Sequence, residues 1–183
     1  INGNGRSRIF EISSNTSATL SKLNLVNGGT LIGGGAISNA GTVNLVDVTL
    51  SGNSSFAGGA LANSGNAYLT NVTINNNRAI DGGGIYNTGY LNISNTIVAN
   101  NFDGVAIGGN PGGNLVQHYD TSGILTDLGY NLIGDSTGST GWTVRSRVGT
   151  NTQRIDPKLA PLRNNGGFTQ THALLQDSPA LNA

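Results

Sequence analysis

Apolar and polar side chains alternate along the chain in short runs, and the alternation then slips. Val43 and Leu45 lie two residues apart, as do Val48 and Leu50, but the step from Leu45 to Val48 is three. Successive side chains of a strand point to opposite faces, so each pair faces one way. The slip between them predicts a bend joining two strands. A third short strand precedes Asn39 and turns Ile37 inward. The apolar positions lack the 3.6-residue period of a helix, and glycine and β-branched residues dominate, which disfavours helices.

The whole pattern returns at a period of 24. GGGAISNAGTVNLVDVTLSGN (Gly33 to Asn53), AGGALANSGNAYLTNVTINNN (Ala57 to Asn77) and DGGGIYNTGYLNISNTIVANN (Asp81 to Asn101) align without gaps. Ile37, Leu61 and Ile85 match, as do Val43, Ala67 and Leu91, then Leu45, Leu69 and Ile93, then Leu50, Ile74 and Val98. An earlier unit fits at an offset of 25, placing Ile12 on Ile37, Ala18 on Val43, Leu20 on Leu45, Leu23 on Val48 and Leu25 on Leu50. A less regular unit runs through Leu115, Ile124 and Leu128 to Ile133. Three short strands per repeat, stacked about 4.8 Å apart, describe one coil of a parallel β-helix. No six-residue repeat of the left-handed class is visible. The expected fold is therefore all-β, a right-handed parallel β-helix with an irregular C-terminal cap.

Stacking also accounts for the recurring polar residues. Asn39, Asn63 and Asn87 should form one amide ladder, and Asn53, Asn77 and Asn101 a second, at corners where asparagine tolerates left-handed backbone. Gly41, Gly65 and Gly89 are expected to supply positive φ at a tight turn. Coils should occupy residues 1–135, with an irregular insertion near 102–127 that includes GVAIGGNPGGN. A capping region follows at 136–183, read as a strand pair and loops folding back over the last coil.

These residues carry a resemblance. The GGAI-type units resemble the repeats of chlamydial polymorphic outer membrane proteins. They are still more similar to bacterial right-handed β-helix proteins of the "choice-of-anchor" type. An opening coil such as INGNGRSRIFEIS (Ile1 to Ser13), a following LGYNLIGD (Leu128 to Asp135) and the closing NNGGFTQTHALLQDSPALNA extend the likeness over nearly the whole chain. The resemblance implies a secreted or cell-surface bacterial module with a variable anchor, and it brings no known catalytic residues. It also implies that the chain is an internal piece of a longer protein.

Composition narrows the chemistry. The chain has 183 residues, 29 of them glycine, no cysteine, and nine acidic against nine basic side chains. A neutral chain has no long-range field for nucleic acid or anionic lipid, so neither is expected as a partner. No apolar run is long enough to span a membrane as a helix. Zero cysteine excludes disulfides and thiolate metal clusters.

Acidic clusters of the kind a lyase or hydrolase needs are missing from the regular coils. Asp47 aligns with Asn71 and Asn95, Asp81 with Ala57 and Gly33, and Glu11 is the one glutamate. The remaining candidates are His118, Tyr119 and Asp120 in QHYD, read as an exposed loop or as a base with its orienting acid. His172 is read as a structural histidine. Arg145, Arg147 and Arg154 near Trp142 are read as a solvated strand face or a basic strip suited to sugar acids. Asn15, Asn53, Asn71 and Asn92 fit the glycosylation pattern, which an Asn- and Thr-rich repeat produces by chance. A flat threonine array for ice fails because Ile97 follows Thr49 and Thr73, and Asn66 and Tyr90 follow Thr42.

The reading that follows is a non-catalytic surface module, a rigid stalk or adhesive element, with no catalytic residues, metal ligands or cofactor assigned. Its expected partners are polysaccharide, other surface proteins, or further copies of itself joined end to end. The alternatives are a polysaccharide lyase or hydrolase and a filament-forming subunit.

Overall fold

The computed structural model describes residues 1–103 and 119–181. Strands and turns make up the described residues, and no helix forms among them. The chain winds as a parallel β-solenoid of about four turns. One sheet stacks Phe10–Ile12, Ile37–Asn39, Leu61–Asn63, Ile85–Asn87, Thr121–Ile124 and Ser139–Thr140. The second starts from Ser17–Val26 and Thr42–Ser51. It then splits into two rows, Asn66–Thr70, Tyr90–Ser94 and Thr126–Asp127 on one side, Thr73–Asn75, Ile97–Ala99, Leu132–Ile133 and Arg147–Val148 on the other.

The predicted rows stack as read. Ile37 pairs with Leu61 and Leu61 with Ile85. Leu45 pairs with Leu69 and Leu69 with Ile93. These side chains have almost no exposed surface and fill the core between the sheets. The slip after Leu45 is a left-handed residue on every coil, namely Lys22, Asp47, Asn71, Asn95 and Tyr130, all with φ between 48° and 63°. One such residue turns the chain so that the next apolar pair faces the same core. Thr73 follows Thr49 and Ile97 follows Thr73, the break in the threonine row expected from sequence.

One register differs from expectation. Ile12 pairs with Asn39, and Phe10 takes the place below Ile37. The cause is the turn: Ser13 to Thr16 bridge the two strands where Ala40 and Gly41 suffice one coil above. From Ala18 onward the offset of 25 holds, with Ala18 on Val43, Leu20 on Leu45, Leu23 on Val48 and Leu25 on Leu50.

Glycine also acts differently. Positive φ falls on Gly34, Gly58 and Gly82, while Gly41, Gly65 and Gly89 have ordinary backbone. These last three are small because the coils touch there. A Cβ on Gly65 would strike the carbonyl oxygen of Gly41, and one on Gly89 that of Gly65.

Both ends of the stretch 102–127 join the solenoid, and residues 104–118 lie outside the described residues. Phe102–Asp103 pairs with Arg78–Ala79, and Thr121–Ile124 pairs with Ile85–Asn87. Equivalent residues are 35 apart across this coil (Thr96 and Asn131) and 15 apart on the next (Asn131 and Ser146). The solenoid also runs past residue 135, since Arg147–Val148 stacks on Leu132–Ile133. Trp142 and Val148 pack against the upper end of the core. Beyond them, Arg163–Asn164 and Gln170–Thr171 form the expected antiparallel pair. Leu174 and Ala180 lie beside Asn95, Ile97 and Tyr130, so the tail covers a flank of the solenoid as well as following its last coil.

Candidate functional site

Both asparagine ladders form inside the solenoid. Asn39 donates its side-chain amide to Asn63 Oδ1 at 2.6 Å, Asn63 donates to Asn87 at 2.7 Å, and Asn87 ends the series on the Ile124 carbonyl at 2.6 Å. Asn53 donates to Asn77 and Asn77 to Asn101, each at 2.9 Å. Asn101 then donates both its backbone N–H and its Nδ2 to Asp120 Oδ1, each at 2.8 Å. The ladder therefore ends on a carboxylate.

Asp120 is buried, not part of an exposed loop. Its second oxygen accepts the Asp135 N–H at 2.7 Å. Burial pushes its carboxyl up to about 7, against the pull of the donors on Asn101 and Asp135, and the Asp135 charge adds to the rise. Asp135 is itself buried, accepts the Thr137 N–H on Oδ1, and takes the Arg154 Nε on Oδ2 at 3.2 Å.

A third buried carboxylate, Asp127, carries no repeat signature. Oδ1 accepts from Gly129 N–H, Asn131 Nδ2 and Ser146 Oγ, and Oδ2 from the N–H and hydroxyl of Thr143. Burial works to raise its pKa, but the donors from Thr143, Ser146 and Gly129 outweigh it and hold the carboxyl below its usual value. The sequence signal that marks it is Asp127-Leu128-Gly129, an aspartate poised to bond the backbone two residues on.

The other named candidates separate. His118 lies outside the described residues, so QHYD is seen only from Tyr119 onward. His172 Nδ1 lies 2.7 Å from the Ala160 carbonyl, the hydrogen-bonding role read for it. Trp142 packs on the core and donates to Ser139 Oγ rather than heading a basic strip. Arg145 and Arg147 are exposed, and Arg154 is engaged with Asp135. No group of three His, Cys, Asp or Glu side chains suited to a metal ion occurs among the described residues. Asp47 accepts from Asn71 Nδ2 at 3.0 Å, joining the polar surface instead of a catalytic pair.

These groups border a cleft of about 510 Å³. Asn76, Asn100, Asn101, Asp120, Gly134, Arg154, Ile155 and Asp156 line it. Phe102 also lines it. A separate lateral surface carries Tyr68 and Tyr90, whose rings lie 5.9 Å apart at a tilt of 59°.

Comparison of the chain with known protein families, with curated proteins and with solved structures finds no match.

Proposed function

We propose that this chain is a non-catalytic module of a bacterial extracellular or cell-surface protein, a rigid structural or adhesive element akin to the choice-of-anchor type. One observation carries this reading. All six oxygens of Asp120, Asp127 and Asp135 accept hydrogen bonds, from neighbouring coils or from their own turns. A buried carboxylate with both oxygens bonded in this way stabilises a turn, a structural role. The stacked amides, with their donors and acceptors paired inside, support stiffness along the solenoid axis.

The test is a depolymerisation assay on acidic and neutral polysaccharides, with and without calcium, following unsaturated and reducing ends. No turnover supports the module reading. Turnover abolished by Asp120→Asn overturns it in favour of a polysaccharide lyase or hydrolase. The observation that favours that second reading is Asp120 itself, an acid with a pKa of about 7 that lines a cleft together with Arg154.

Self-association would follow from a different feature. Phe10–Ile12 and the first part of Ser17–Val26 are edge strands, paired upward only among the described strands. Ile9, Phe10, Ala18, Leu20 and Leu23 leave part of the core's lower end uncovered. Such an edge would be covered by a further coil or domain, or would pair end to end with another copy. Filaments of the purified protein in electron microscopy would support the second arrangement, and monomers the first.

A further inference from the structure

We propose that the cleft between Asn100 and Arg154 binds a neutral sugar residue, an inference that rests on the adhesive reading above. Recognition of a pyranose needs donors and acceptors spaced for neighbouring hydroxyls, plus an apolar patch for the ring's C–H face. The cleft holds both. Asn76 and Asn100 are exposed corner residues with φ of 58° and 57°, so the repeat presents two amides in register at the cleft. Each amide offers a donor and an acceptor.

Arg154 lines the same cleft and is exposed while its Nε is held by Asp135, which orients the guanidinium. Asp156 Oδ1 accepts the Lys158 N–H at 2.8 Å, and this bond fixes the carboxylate's direction. Phe102 and Ile155 supply apolar surface at the same cleft. Gly134 lines the cleft without a side chain, since a Cβ there would lie 2.5 Å from Asp120 Oδ2.

Charge selects the class of sugar. The Arg154 charge is balanced by the buried Asp135, and Asp156 adds a negative charge that forms no ion pair among the described residues. A carboxylated or sulfated sugar would meet that charge, whereas a hydroxyl can donate to it. The binding groups sit on stacked coils, so little ordering is needed on association.

Isothermal titration with neutral tetraoses of glucose, mannose, galactose and xylose, and with tetragalacturonate, tests the proposal on the intact chain. At least one neutral tetraose should bind. Asn100→Ala and Asp156→Ala should each weaken it about tenfold, the loss of one to two hydrogen bonds. Tyr68→Ala, on the lateral surface, should leave binding unchanged, and circular dichroism should confirm that all three variants fold. Lack of neutral binding at millimolar sugar, preference for tetragalacturonate, or a loss that follows Tyr68 would each overturn the site. Neutral binding accompanied by new reducing ends would support the site and overturn the non-catalytic reading.

Discussion

Asn101 donates twice to Asp120 Oδ1, at 2.8 Å from both its backbone and its side chain, and there an amide ladder gives way to a carboxylate. Three asparagines below it satisfy one another because each carries both a donor and an acceptor. An ionised aspartate only accepts, so it can terminate such a series but cannot continue it. Asp120 meets a donor on each oxygen, Asn101 on one and Asp135 N–H on the other.

That position sets a pH dependence. The Asp120 carboxyl is raised from 3.8 to about 7 by burial, so its contribution to stability is full below 3.8 and is lost as pH rises through about 7. Urea midpoints should therefore fall between pH 5 and pH 8. In Asp120→Asn this component of the slope should vanish. The variant should also lose about 1–3 kcal/mol at pH 5, because an amide N–H would face the Asp135 N–H.

Asp127 should act in the opposite sense. Its pKa is lowered, so its contribution is present above 3.8 and is lost as pH falls through the lower folded value. Acid titration followed by circular dichroism should show loss of structure below about pH 4. Asp127→Ala leaves five donors without their acceptor and should cost about 3 kcal/mol or more at neutral pH in urea denaturation.

Gly65→Ala should destabilise the solenoid by about 2 kcal/mol or more, although its φ is ordinary, because the added methyl would strike the Gly41 backbone. Asn95→Gly should be nearly neutral, since glycine adopts the left-handed conformation freely. Asn95→Val, which resists it, should cost about 1–2 kcal/mol. Thermal melts of the three variants give the order.

Leu69→Asp should abolish folding, since Leu69 is fully buried between two equivalent core residues and a lone charge there has no partner. Phe168→Ser should leave the melting temperature unchanged, because that side chain is fully exposed. A matched pair of melts separates core from surface.

Stacking made the fold legible. Residues that sit above one another must solve the same packing problem, so Ile37, Leu61 and Ile85 repeat, and so do the ladder asparagines. What occurs once was hidden. Asp127 serves a single turn, and its five donors come from four residues that no period links. Asp120 stands on the ladder's end but at a spacing of 19 from Asn101 rather than 24, so the repeat could not reveal it. The glycine roles were exchanged because composition marks a small residue without telling close approach from positive φ. Ile12 was misplaced because two extra turn residues leave no trace in the alternation of the strands they join.

The departure and return points of the lengthened coil are pinned close together, Asn101 to Asp120 by two hydrogen bonds and Phe102–Asp103 to Arg78–Ala79 by strand pairing. Closing a longer segment between such fixed ends costs little, because loop entropy grows only with the logarithm of length. Asn101 and Asp120 are thus fixed points between which the length of chain can vary while the stacked rows keep their register.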